Sequence, residues 1–318
     1  MSETTKAPSA EELRKLLKPN LSDDDVVQLL HALEVRFAPG KKIKITKQLD
    51  SYDDVNYLVN IDGTSFVCKI HNGVESKDFI EQWRAQGLDY SSFSSVIHLQ
   101  NNIMLHLNAK GIPTNQPQHN SMYDMPAHVQ GLTVLSKEHS PCDLVVRLLS
   151  WMDGTTMCSM QITPLECLAD AGRFLGRMDR ALDEHNDPAA ERFHAWDGKN
   201  TAELRPFLKY IKNQQRRLMI TSILDTFQQS ILDSGDAKKF RTGIIHGDFH
   251  DANILVNKDF RICGVIDFGD CVARYVYYKH TLFDFAACST KLEFSKEGRS
   301  RPIDKICCRR LLPLHISC

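Results

Sequence analysis

The sequence predicts an α+β fold in two lobes, with an antiparallel sheet in the first lobe and mainly helices in the second. Three observations carry that prediction. At 318 residues the chain is long enough to build two lobes around a sizeable core. Between residues 42 and 72 apolar and polar side chains alternate with the period of strands. In 163–185 and 202–235 the apolar residues instead recur three and four apart, the spacing of amphipathic helices.

Taken in order, residues 1–10 are small and polar, and 11–18 and 23–37 carry helical spacing. In "KIKITKQLDSYDDVNYLVNIDGTSFVCKIHNG", alternation through Ile43 and Ile45 is followed by a polar break from Ser51 to Asp54. The runs "NYLVNI" and "SFVCKI" then flank the turn Asp62-Gly63, so three antiparallel strands are predicted. Residues 77–90 are charged and weakly periodic, as in an insertion or a surface helix. "SSVIHLQNNIMLHLNAKGIPT" predicts a helix opened by Ser and stopped by Gly111 and Pro113. Residues 114–140 read as loop with one strand, and "CDLVVRLLSWMDG" as a strand running into a glycine turn. The expected organisation is a tail over 1–20, an N-lobe over 21–150, a C-lobe over 151–272 and a second tail over 273–318.

Composition narrows the function classes. A net charge of −1 gives no bulk electrostatic case for a nucleic acid or an anionic membrane. The first residues lack an apolar core of the signal-peptide kind, and no stretch approaches bilayer length, so a soluble cytoplasmic protein is expected. Ten cysteines at irregular spacing point to reduced thiols, and the pair Cys307 and Cys308 fits no zinc spacing. Nothing in the pattern predicts an oligomer.

The chemistry lies in "IIHGDFHDANILV", residues 244–256, where two His, two Asp and an Asn sit between short apolar runs. So many polar side chains make poor core, because each needs a partner once buried. Asp248 and Asn253 are five apart, and "ICGVIDFGD" follows with Asp267 opening Asp-Phe-Gly. Phosphoryl transfer needs these parts: a carboxylate beside the attacking hydroxyl, and oxygen ligands for a Mg²⁺ that bridges phosphates. A Lys on the third strand, Lys69, is the candidate phosphate contact. The preceding loop "LDSYDDVN" has no glycine, which leaves Ser51, Tyr52 and Asn56 as candidate donors. Gln100, with His98 nearby, is the inward residue on the helix that should face Lys69. His246 is expected to brace the loop, and His250 is read as an ordinary loop residue. Trp83, Trp151 and Trp196 are read as packing residues.

With these motifs the sequence resembles the aminoglycoside phosphotransferase and choline kinase-like family, whose pattern of His-Gly-Asp, Asn and Asp stands here at His246 to Asp267. "SYDDVNYLV", "IHLQNNIMLHLNAKGIPT" and "LVVRLLSWMDG" are most similar to its hydroxylysine kinase branch. The resemblance covers about residues 22–272. It implies a bilobal protein-kinase-like fold and transfer of the γ-phosphate of GTP, with ATP as the alternative donor, to the hydroxyl of 5-hydroxy-L-lysine. Carried over by position, Asp248 becomes the base, Asn253 and Asp267 the Mg²⁺ ligands, and Lys69 the phosphate contact, while Leu148 and Leu149 offer backbone groups to the guanine. Asp53, Asp54 and Asp270 are the candidates for the acceptor's amine. After residue 272 the chain departs from the family's helices, so a truncated C-lobe is expected, with "LFDFAA" a remnant. Other readings are a kinase of choline, ethanolamine or homoserine, a nucleotide-binding fragment without turnover, and a metal-dependent phosphoesterase.

Overall fold

The computed structural model describes residues 10–32, 41–52, 54–74, 96–118, 128–129, 144–192 and 198–276. The expectations for 77–90, Asp53, Trp83, Trp196, "LFDFAA", Cys307 and Cys308 lie outside those residues, as do most of 273–318 and the first nine residues of the 1–20 tail.

Strand β1 (Ile43–Leu49), β2 (Val55–Ile61) and β3 (Thr64–Ile70) form the predicted antiparallel meander. In β2 every second side chain, from Val55 to Ile61, is buried, as a half-buried strand requires. The β2–β3 turn needs only Asp62 and Gly63, with φ of 49° and 89°. Two successive positive φ values match the twist of the flanking strands, and Gly adopts them without steric cost. β5 (Leu144–Ser150) pairs with β3, and the short β4 (His128–Val129) with β5, which gives the order β1-β2-β3-β5-β4.

One face of this sheet is covered by helix α2 (Asp23–Ala32). Its Val26, Leu29 and Leu30 pack on Val55, Tyr57, Val59, Phe66, Cys68 and Ile70, with Leu144, Val146 and Leu148 of β5. A reciprocal cap starts α2: Asp25 N–H donates to Ser22 Oγ, and Ser22 N–H donates to Asp25 Oδ2. Before it runs the short α1 (Ala10–Leu16).

The other face meets α3 (Val96–Ala109), whose Leu99, Ile103, Met104 and Leu107 join a second core with α4 (Leu165–Leu182). Gly111, at φ 75°, ends α3 as predicted. Its N–H bonds to the Asn108 carbonyl, and the Ile112 N–H reaches back to Leu107, so two terminal carbonyls are satisfied. The chain from Pro113 then runs between the lobes: Thr114 bridges Val265, and Gln118 N–H donates to the Leu148 carbonyl.

Two small sheets complete the second half. β7 (Arg241–Ile245) pairs with β10 (Val272–Val276), and β8 (Ile254–Val256) lies between β6 (Thr155–Thr156) and β9 (Ile262–Val265). Two features differ from expectation. Pairing of β10 with β7 carries regular structure to residue 276, past the tail boundary expected at 273. The single helix expected over 202–235 is broken into a 3₁₀ segment (Gly198–Tyr210), α5 (Gln214–Phe227) and a π turn (Gln228–Asp233). Pro206 lacks the N–H that a continuous helix needs, and the Asn213 side chain accepts from Arg216 N–H to start a new one. No helix among the described residues is long and apolar enough to cross a membrane.

Candidate active site

The segment 246–253 leaves β7, turns, and enters β8. Its anchors are apolar. Phe249 is buried in the second core, its ring stacked at 6.5 Å on Phe174 of α4. The His246 ring meets Phe268 at 4.7 Å and Phe249 edge-on at 6.2 Å. With these side chains turned inward, the polar residues between them are satisfied by one another.

His246 is fully buried, and its two ring nitrogens have distinct partners. Nδ1 accepts from Asp248 N–H at 3.2 Å, so the proton resides on Nε2, which donates to the Ile266 carbonyl at 3.1 Å. Burial holds the imidazole below its ordinary pKa, against the pull of Asp267 and Asp248, and keeps it neutral. It thus ties the loop to the strand that delivers Asp267. His250, read as a plain loop residue, is a partner of the carboxylate instead: Nδ1 accepts from Ala252 N–H, and Nε2 donates to Asp248 Oδ2 at 3.0 Å. Asn253 Nδ2 also donates to Asp248 Oδ2, at 3.0 Å, and to the Asp248 carbonyl. Two donors on one oxygen fix the plane of the Asp248 carboxylate, and the Asn253 amide is oriented with its nitrogen on Asp248.

Strand pairing brings the third polar residue in. Ile254 stands opposite Val265, and Ile266 N–H donates to the Asn253 carbonyl, so Asn253 and Asp267 leave neighbouring strand ends together. Asp267 adopts φ 65°, a left-handed conformation that Asp tolerates better than most residues. Its side chain is half exposed and lies 3.7 Å from Lys69 Nζ. Asn253 and Asp267 therefore present amide and carboxylate oxygens, the hard donors Mg²⁺ takes, and that ion commonly uses one or two protein ligands with phosphates completing its shell. Among the described residues no group of three or more His, Cys, Asp and Glu is arranged to hold a metal on protein ligands alone.

Gly247 explains why the motif reads His-Gly-Asp. It sits at φ 82°, and a Cβ there would lie 2.2 Å from the Asp270 carbonyl oxygen. No side chain fits that approach. The Asp-Phe-Gly segment is held from its other side by Arg192, whose Nη2 donates to the carbonyls of Gly269 and Cys271 at 2.8 and 3.1 Å. No sequence pattern marks Arg192.

Across the cleft, Lys69 is almost buried on β3 opposite Asn56 and Arg147. Its close carboxylate is Asp54, at the entry to β2, with Nζ to Oδ2 at 2.7 Å. Burial by itself would raise the Asp54 carboxyl, but the Lys69 charge, with hydrogen bonds from Lys69 and Asn72 N–H, outweighs it and holds the group well below the usual carboxylate range. Burial would likewise lower the Lys69 ammonium, and Asp54 and Asp267 reverse that. Asp54 is thus bound to Lys69, not turned to an acceptor's amine.

Gln100 is buried as expected but faces another cation: its Oε1 accepts from Arg147 Nη2 at 2.6 Å. Ser51 and Tyr52 give their carbonyls to Lys18 Nζ, each at 2.9 Å, which ties the glycine-free loop to the segment after α1. Among the described residues the buried Asn56 Oδ1 has no hydrogen-bond partner. The Leu148 carbonyl, expected to face a base, is taken by Gln118 N–H at 2.7 Å, and Leu149 stands opposite Val67 on β3. Leu148 is thus engaged with the segment that follows α3, and Leu149 with β3. Trp151 donates from Nε1 to Asp153 Oδ1.

Comparison with known proteins shows the family and the fold. Residues 45–301 match the phosphotransferase enzyme family, APH. Hydroxylysine kinase of Xenopus laevis is 26% identical over 282 residues, 82% of this chain and 68% of that protein. The Danio rerio hydroxylysine kinase is 25% identical over 272 residues, 82% of this chain and 69% of its own length. Among solved structures, a microcompartment-associated aminopropanol kinase superposes with a TM-score of 0.55 at 15% identity, covering 87% of this chain and 82% of that one. Aminoglycoside phosphotransferase APH(4)-Ia gives 0.50 at 11% identity, over 85% and 80%. At such identities the likeness is one of fold, an α+β architecture with an antiparallel N-terminal sheet. Because the family match spans most of the chain and runs through Lys69, Asp248, Asn253 and Asp267, the chain belongs to the phosphotransferase enzyme family as a small-molecule phosphotransferase.

Proposed function

We propose that the chain transfers the γ-phosphate of GTP to the side-chain hydroxyl of 5-hydroxy-L-lysine. The observation that carries this reading is the meeting of two separate parts of the fold: Lys69 of the sheet lies 3.7 Å from Asp267, and Asp267 is joined through Ile266 and Asn253 to the Asp248 carboxylate. The hydroxyl donates its proton to Asp248, whose orientation is set by His250 and Asn253. Lys69 sets its charge against the donor's phosphates. Asn253 and Asp267 would hold Mg²⁺, which when bound would neutralise negative charge on the donor's phosphates. The choice of acceptor is supported by the similarity to the vertebrate hydroxylysine kinases. Asp53 and Asp270 remain the candidates for the acceptor's amine. A reducing cytoplasmic setting is part of the same proposal, supported by the irregular spacing of the ten cysteines.

The test is a coupled GDP- and ADP-release assay with Mg²⁺, in which GTP and ATP are each tried with 5-hydroxylysine, choline, ethanolamine and homoserine. Turnover on GTP with hydroxylysine, lost in Asp248→Asn, is the expected result. Turnover on a different acceptor would keep the reaction and replace the substrate, whereas nucleotide binding with no turnover on any acceptor would make the chain a non-catalytic nucleotide binder.

A further inference from the structure

The familiar way to hold a strand lysine against phosphates is a carboxylate on the facing helix. Helix α3 offers amides at that place. Gln100 Oε1 and Asn101 Oδ1 both accept from Arg147, at 2.6 and 2.8 Å, and all three side chains are buried. Arg147 stands beside Lys69 in the β3–β5 pairing, so an α3 residue that reaches this part of the sheet meets the guanidinium.

From Arg147 the contacts continue. Its Nε donates to His71 Nε2 at 2.9 Å, which leaves the His71 proton on Nδ1, facing Asp54 Oδ2 at 3.7 Å. Asp54 Oδ1 accepts from Asn72 N–H at 2.8 Å, and Oδ2 is the atom paired with Lys69. The two carboxylate oxygens thus divide the work, one fixed by backbone and the other holding the ammonium. With Asp267 placed to hold Mg²⁺, Asp54 would be the carboxylate among the described residues that stays committed to Lys69 once a nucleotide is bound.

We infer that Asp54 is the positioning residue for Lys69, and that Arg147 and His71 transmit the seat of α3 to it, in place of a direct ion pair between α3 and the lysine. This role rests on the phosphoryl-transfer function proposed above. It assigns Gln100 to the anchoring of Arg147 and gives the acidic residue before β2 a function in nucleotide binding.

The experiment is titration of the full chain with a fluorescent GTP analogue and Mg²⁺, together with steady-state kinetics, for wild type, Asp54→Asn, Lys69→Met, their double variant, and Asp54→Asn combined with Gln100→Glu. Asp54→Asn is expected to weaken nucleotide binding at least tenfold and to raise the nucleotide KM, with the acceptor KM unchanged within twofold. In the Lys69→Met background the same substitution should have no further effect, because Asp54 acts through Lys69. Gln100→Glu should not rescue Asp54→Asn, since its carboxylate meets Arg147. Equal nucleotide binding by wild type and Asp54→Asn overturns the inference, as does rescue by Gln100→Glu. If Asp54→Asn alone does not fold, the double variant is compared with Lys69→Met: equal affinity supports the inference, and a further tenfold loss overturns it. A wild-type chain that binds no nucleotide removes the phosphoryl-transfer reading itself, and the positioning role with it.

Discussion

Two polar clusters face each other across the cleft, and they are built in opposite ways. In the loop after β7, His246, Asp248, His250 and Asn253 bond to groups two to five positions away, with the Ile266 carbonyl as the distant partner. At the sheet, Lys69 comes from β3, Arg147 from β5, Asp54 and His71 from just before β2 and just after β3, and Gln100 and Asn101 from α3, and Arg147 reaches partners 46 to 76 positions away. The first cluster is a local fold of the chain, and its members can shift together with the loop. The second holds charge inside the sheet, where a missing partner cannot be replaced by water. Chemistry should therefore be the first loss when the loop is altered, and stability the first loss when the sheet cluster is altered.

The sharpest test of that contrast is Asp248→Asn. Removing the base while leaving the shape of the loop is expected to lower kcat about 10²- to 10⁴-fold, with denaturation midpoints close to wild type. Asp54→Asn should do the reverse in stability: breaking a buried pair from one side typically costs about 3–5 kcal/mol. Urea unfolding of the two variants side by side measures the difference, and a mild Asp54→Asn would remove it. Gly247→Ala lies between them. The left-handed backbone alone costs about 1–2 kcal/mol, and the Cβ must also displace the Asp270 carbonyl, so the loop should lose its geometry and the enzyme its turnover.

The same contrast explains what could be read in advance. The local cluster was legible because its spacing is its geometry: Asp248, Asn253 and Asp267 are brought together by short paired strands whose apolar runs are visible in the sequence. The β1–β3 meander was legible for a similar reason, since alternation and a two-residue Asp-Gly turn fix its register. Pairing over long distance leaves no such mark. Asp54 looks like one of three acids in a polar break, and only the β2–β3 register sets it beside Lys69. Arg147 sits in an otherwise apolar run, where a buried cation runs against composition. Gln100 is buried on α3, yet its partner depends on which side chain of β5 lies there. The split of 202–235 was open to reading from Pro206 and Asn213, but helical spacing on both sides masked it.

Acid sharpens the comparison further, because each cluster contains a fully buried histidine. Burial holds both His71 and His246 below their ordinary pKa; Arg147 adds to the effect at His71, while Asp267 and Asp248 oppose it at His246. In the unfolded chain each titrates near the free value of about 6.5. As pH falls below about 6.5, the unfolded state therefore takes up protons that the native state refuses, and stability declines. The slope approaches about 1.4 kcal/mol per pH unit for each such histidine until its native pKa is reached. Asp54 does not contribute in this range. Its folded pKa is depressed, so the stability it confers is present above the free carboxylate value of about 3.9 and is lost only at lower pH. Urea midpoints at pH 7.5 and pH 5.5 should show the loss for wild type, and His71→Asn and His246→Asn should each flatten it by up to one histidine's share. The two variants separate in activity. His246→Asn removes the tie between loop and strand and should lower kcat. His71→Asn loosens the seat of Asp54 and Lys69, so its effect should fall on the nucleotide KM. A substitution that left the slope unchanged would mean that its histidine is protonated inside the fold, against the donors that Arg147 sets at His71 and the Asp248 N–H sets at His246.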